Sequence, residues 1–150
     1  MMQISSGTIS PEDLRSRLAE PAAGAYASFE GWIRNENEGN AVLRLEYEAY
    51  EPLAVKEGER VIREAKDKYP VLQAHCVHRT GLLELGEVAV WVGVAAPHRD
   101  EAFAACRYII DQVKFRLPIW KKEHYADGHS GWVNCERCAA HGEADTAMRR

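Results

Sequence analysis

The 150-residue sequence contains no apolar run approaching the roughly 18 residues needed to span a bilayer. Its N-terminal stretch also lacks the basic-then-apolar order of a secretion signal. Together these absences predict a soluble, cytoplasmic protein with no membrane partner. Basic blocks are missing too: 19 Lys and Arg stand against 23 Asp and Glu, interspersed, for a formal charge of −4. That pattern excludes an electrostatic footprint for nucleic acid, so any anion site has to be built from a local cluster. Cysteine is scarce, four in all, and without an export signal these thiols are expected to be reduced or metal-bound rather than paired as disulfides. No internal repeat is present. A chain of this length buries about two-thirds of the surface its unfolded form exposes, which suits one core. From Ala140 onward the residues are small, polar and charged, which predicts one domain over residues 1–139 and a fraying tail over 140–150.

What is present reads as alternating strand and helix signals. Gln3 to Ser5 suits an edge strand. Ser10-Pro11-Glu12-Asp13 combines a capping residue, proline at the first helical position and an acid three residues after the cap, and predicts a short helix to about Ala19. Small and aromatic residues from Ala25 to Arg34 read as a strand, and the polar turn Asn35 to Asn40 joins it to Val42–Glu48, which alternates apolar and charged residues. Leu53, Val61, Ile62 and Ala65 mark a helix over Glu51–Lys68, stopped by Tyr69-Pro70. Strands over Val71–His78 and Glu87–Val94 flank Gly81 to Gly86. Ala102, Phe103, Cys106, Ile109, Ile110, Val113 and Leu117 then recur at helical spacing, predicting an amphipathic helix from about Asp100 to Arg116. Cys76 and Cys106 fall on faces expected to be buried. The order of elements fits an α+β fold, a mixed or antiparallel sheet with helices packed on one face.

The end of the long helix carries the most chemistry. Lys114 follows Ile110 by one turn, so its ammonium emerges where the buried face meets solvent. Pro118 closes the helix and biases Leu117 towards extended backbone, which puts Lys121 on an extended segment. Two lysines with Trp120 between them could converge on one anion or one electrophilic carbonyl. Other cationic groups also sit at element termini: Arg34 after a strand, His98 and Arg99 before a helix, and the His78-Arg79 pair. Taken singly, each has an ordinary structural explanation, as a solvated or ion-paired arginine, a hydrogen-bonding histidine or a snorkelling lysine.

Taken in order, the motifs resemble the large, catalytic subunit of molybdopterin synthase. The resemblance runs from about Gly24 to Trp132. It comprises Gly24-Ala25 followed by Phe29-x-Gly31-x-x-Arg34-Asn35, then Leu45-x-Tyr47-Glu48-x-Tyr50, His78-Arg79-x-Gly81 and Gly86-Glu87. It continues with His98-Arg99-x-x-Ala102-Phe103 and ends with Lys114-x-x-x-Pro118-Ile119-Trp120-Lys121-x-Glu123. It implies an α/β-hammerhead type of fold and a homodimer, extended to a heterotetramer by a small ubiquitin-like sulfur carrier on each copy. The carrier ends in a Gly-Gly thiocarboxylate, whose sulfur converts cyclic pyranopterin monophosphate (precursor Z) into the dithiolene of molybdopterin.

On this resemblance Lys114 and Lys121 are the family's two functional lysines. Lys121 is expected as the acid/base or electrostatic catalyst, and Lys114 as the residue that binds substrate and positions the carrier tail. Arg34, His98 and Arg99 would donate to the substrate phosphate, Trp32 and Ile33 would line the pocket, Lys122 would add to it, and Glu123 would orient a lysine. Two apolar strands, Ala25 to Ile33 and Glu87 to Val94, also favour a homodimer, since a small monomer covers its edges poorly. No cofactor is required. The C-terminal Cys135-x-x-Cys138 with His141 is half of a structural zinc site, or else two reduced thiols near a tail. The rival reading is a non-catalytic anion- or partner-binding domain on the same fold.

Overall fold

The computed structural model describes residues 1–134. In chain order these form β1 (Met2–Ser5), α1 (Pro11–Ser16), β2 (Ala25–Trp32), β3 (Glu36–Asn37), β4 (Asn40–Ala49) and α2 (Glu51–Lys68). There follow β5 (Gln73–Arg79), β6 (Gly81–Glu84), β7 (Val88–Ala96), α3 (Arg99–Arg116), β8 (Ile119–Tyr125) and β9 (Ser130–Asn134). The fold is α+β, and its strands divide between two sheets. One has the order β1-β5-β7-β2; β1 runs parallel to β5 and the other pairings are antiparallel. The other runs β3-β4-β8-β9, with β6 also paired to β4.

The side-chain pattern along β7 decides what each face of the first sheet covers. Val90, Val92, Val94 and Ala96 point to one side, where they meet Ala54, Val61, Ile62 and Ala65 of α2 and Ala102, Ala105, Ile109 and Val113 of α3 in the main core. The α3 residues recur every three or four positions, and the α2 residues do so once the buried Gly58 is counted with them, the spacing that puts each set on one stripe. The other β7 set, Trp91 and Ala95, lies beneath Ile9, Leu14 and Leu18, so the α1 segment closes the opposite face. α1 itself is shorter than the capping pattern predicts. Ser10 makes no side-chain cap, and after Ser16 the chain turns so that Leu18 can reach Trp91. A third cluster, Ile33, Val42, Leu45, Leu83 and Ala89, forms where the second sheet meets the end of the first.

α3 and β8 are joined almost without a loop. Leu117 has φ −76° and ψ 139°, the extended geometry that a residue before proline prefers, and Ile119 already belongs to β8. The helix therefore hands its C-terminal end directly to a strand paired with β4. Among the described residues no helix is long and apolar enough to cross a membrane.

Candidate active site

The register between β4 and β8 builds one wall of a cleft. Lys121 lies opposite Tyr47 and Glu123 opposite Leu45. Because successive residues of a strand point to opposite faces, these four side chains share one side, while Lys122 and Glu46 share the other. A bulge in β4 between Val42 and Arg44 inserts Leu43 and brings Val42 onto the same side as Leu45 and Tyr47. The resulting cleft, about 290 Å³, is lined by Trp32, Arg34, Glu36, Asn37, Val42, Leu45, Tyr47, Lys114, Lys121 and Glu123. Its three cations outnumber its two carboxylates. Beneath it lies a smaller cavity of about 60 Å³, walled by His78, Gly31, Ala89, Val90, Val113 and Ile119, and sharing Trp32, Tyr47 and Lys114 with the outer cleft.

Glu123 is the fixed point of this wall, only 3% exposed. Its Oε1 lies 2.9 Å from the Lys121 ammonium; its Oε2 accepts hydrogen bonds from Asn37 Nδ2 at 2.8 Å and from the Tyr125 hydroxyl. Burial alone pushes the Glu123 carboxyl up, but the Tyr125 and Lys121 hydrogen bonds, the Lys121 charge and the Asn37 bond together outweigh it and hold the group below the usual carboxylate range. Tyr125 responds in the opposite sense: its hydrogen bond to the carboxylate, with burial, raises its phenol. Lys121 is thus a positioned cation, its side chain 20% exposed. Lys114, on the last turn of α3, is exposed, and its side chain walls both cavities. Deeper in, His78 is buried and its Nδ1 lies 2.8 Å from the Arg79 carbonyl oxygen; burial lowers its pKa to about 4, so the ring is neutral.

Several residues expected in the pocket lie elsewhere. Lys122 faces away, with its ammonium 5.6 Å from the centre of the Trp132 ring, the outcome dictated by strand alternation. Ile33 is buried in the third core cluster under the cleft and does not line it, while Trp32 stands at the mouth, 64% exposed. His98 and Arg99 open α3 and Lys114 belongs to its last turn. At about 1.5 Å per residue they are roughly 22 Å apart along the axis, so one chain cannot bring both ends of the helix to one small ligand. Cys135, Cys138 and His141 lie outside the described residues. Within them, no group of three His, Cys, Asp or Glu side chains could hold a metal ion.

Glu36, Asn37, Tyr47 and Tyr125 are polar contributors to which the sequence assigned no role, and His78 stood out only as part of a His-Arg pair with an ordinary structural explanation. Tyr125 was reachable, since it follows Glu123 by two residues on one strand and must share its face. Asn37 depends on β3, a strand of two residues with no detectable periodicity.

Residues 4–116 match the family described as MoaE protein. The chain is 39% identical over 141 residues to a molybdopterin synthase catalytic subunit from Nostoc sp., covering 93% of this chain and 86% of that one. It is 44% identical to the protein of the same description from Thermoplasma volcanium, covering 87% and 96%. Among solved structures, molybdopterin synthase from Staphylococcus aureus superposes with a TM-score of 0.82 at 36% identity, covering 87% of this chain and 94% of that one.

Proposed function

Because the chain belongs to the MoaE protein family, we propose that it is the catalytic subunit of a molybdopterin synthase, a sulfurtransferase of molybdenum cofactor biosynthesis. The observation that carries this reading is the convergence of Arg34, Lys114 and Lys121 on one cleft, with Lys121 held in place by a buried carboxylate. Precursor Z carries a cyclic phosphate, for which these cations are charge-assisted donors. The sulfur arrives as the C-terminal Gly-Gly thiocarboxylate of a small ubiquitin-like carrier, threaded towards the same cleft. Lys121, already paid for in orientation by Glu123, stabilises the negative charge that develops as sulfur attacks and the phosphate ring opens. Lys114, which forms no ion pair among the described residues, is the mobile partner that engages substrate and carrier tail.

The chain acts as a homodimer in this reading, a heterotetramer once each copy binds its carrier. His98 and Arg99 are exposed and too far along α3 to serve their own chain's cleft, so a second copy supplies them. No resident cofactor is needed, and a cytoplasmic setting suits the substrate and carrier. Incubating the protein with thiocarboxylated carrier and precursor Z tests the proposal. A product that has gained two sulfur atoms is expected; retention of unchanged precursor would instead favour a binding domain without turnover.

A further inference from the structure

Below the cleft, the 60 Å³ cavity has the size and polarity to hold one water or one end of a polar side chain. Its walls are mostly apolar: Gly31, Ala89, Val90, Val113 and Ile119. Its polar walls are His78 from the sheet, Lys114 from α3, and Tyr47 and Trp32, which it shares with the outer cleft. His78 is 6% exposed, and the edge of one ring meets the face of the other between His78 and Tyr47, at 5.0 Å between centroids and an interplanar angle of 79°. The Arg79 carbonyl can only accept, so the 2.8 Å contact at Nδ1 requires the imidazole proton to be there. Nε2 of the neutral ring is then a lone pair, available to a donor within the cavity. Of the residues that wall the cavity, Lys114 is the one that carries a cationic donor.

We propose that His78 is a positioning residue for Lys114: its Nε2 accepts a hydrogen bond from the ammonium, directly or through one water in the inner cavity, and draws the lysine from solvent towards the cleft. The assignment rests on the functional reading above for its consequence in turnover, though not for the contact itself. Physically, a long lysine side chain at an exposed helix end loses rotamer entropy when it is held in one geometry, and an internal acceptor offsets that cost. A neutral acceptor suits this place because Glu36 and Glu123 already put two carboxylates in the cleft wall, and a third would weaken its attraction for phosphate and thiocarboxylate. The closeness of the Lys114 charge is itself one of the influences that keep the ring unprotonated, after burial and against the Arg79 contact.

Two substitutions separate this role from a purely structural one. Asparagine at position 78 reproduces the donor to the Arg79 carbonyl but stops short of Nε2, whereas the Oε1 of glutamine reaches the Nε2 position. The carrier, precursor Z and each full-length variant are assayed together, with thermal unfolding followed in parallel. His78→Gln is expected within about threefold of wild type. His78→Asn is expected to lose on the order of tenfold or more in kcat, through a misplaced lysine, with the KM for carrier unchanged. Near-normal turnover in His78→Asn, or equal loss in both variants at unchanged unfolding temperature, overturns the proposal. A second readout does not depend on turnover: competitive acetylation of Lys114, measured by peptide mass spectrometry against the exposed Lys56 as internal reference. Loss of the acceptor should raise Lys114 labelling at least about threefold in His78→Asn and leave it near wild type in His78→Gln. Unchanged labelling in both overturns the contact. If labelling changes as expected while wild-type protein forms no product, the contact stands and the functional reading falls.

Discussion

Lys121 and Glu123 point to the same side of β8 with 2.9 Å between ammonium and carboxylate, and Glu123 is held from behind by Asn37 and Tyr125. A flexible lysine is thereby turned into a fixed charge at the wall of the cleft. Its neighbour Lys122, of identical chemistry, has its ammonium over the Trp132 ring on the other side of the strand.

This contrast predicts a large difference between adjacent lysines. Lys121→Ala should reduce product formation by at least about 100-fold if it supplies transition-state charge or a proton. It should also lower stability by about 2 kcal/mol, because a buried carboxylate loses one of three donors. Lys122→Ala should stay within about threefold of wild type in turnover, since removing a charge that faces away leaves the transition state untouched. Steady-state assays with thiocarboxylated carrier, alongside urea unfolding, check both.

Lys114→Ala should raise the KM for precursor Z more than tenfold and reduce kcat as well, since in the proposed reading its charge already binds substrate in the ground state. Carrier association, measured by titration calorimetry, should survive, because one exposed charge is a small part of a protein interface.

The proposed completion of the cleft by a second copy predicts complementation. Arg99→Ala and Lys121→Ala homodimers should each be nearly inactive. After the two proteins are mixed and their subunits allowed to exchange, hybrid dimers carry one intact site each, so activity should recover to about a quarter of wild type. Recovery no greater than the sum of the separate variants would place Arg99 outside the partner's cleft.

The clasp between α2 and α3 predicts acid sensitivity. Glu64 Oε1 receives Arg116 at 2.8 Å and the Tyr108 hydroxyl at 2.9 Å, and the Arg116 hydrogen bond leads the influences that hold its carboxyl down at about 2. The unfolded chain, with an ordinary glutamate, binds the proton more readily. The clasp's stabilisation is therefore present above the ordinary glutamate range and disappears as pH falls through it towards 2. Urea unfolding of wild type should weaken between pH 6 and pH 3, and Glu64→Gln should show a flatter dependence over the same window.

Gly93 predicts a packing defect. A Cβ there would sit 2.2 Å from the ring of Trp91, which is fully buried, and 2.7 Å from Leu18. Gly93→Ala should cost about 1–3 kcal/mol by overpacking, seen as a lower unfolding temperature without loss of the cleft.

The two long helices were legible because their apolar residues recur over 18 positions each, long enough for periodicity to dominate. β6 was not, since Gly81–Glu84 is four residues bounded by turns, and β9 depends on pairing with β8. In the site, the residue types were visible but their directions only partly so. Period-two alternation already separates Lys121 from Lys122, and the length of α3 already separates Arg99 from Lys114. Both conclusions need geometry applied to the motif, which similarity of residues does not supply. The role of Asn37 required a contact across 86 positions of sequence, and no local pattern encodes such a contact.

Pro118 and the single extended residue before it make the distance from Lys114 to Lys121 a matter of odd and even. One added residue between Arg116 and Ile119 would advance β8 by one pleat against β4, sending Lys121 and Glu123 to the outer side and presenting Lys122 and His124 to the cleft. Two added residues would restore the facing but lengthen the tether. The helix–strand junction is thus a parity device: insertions there are tolerated in pairs or not at all, even though Leu117 and Pro118 line neither cavity.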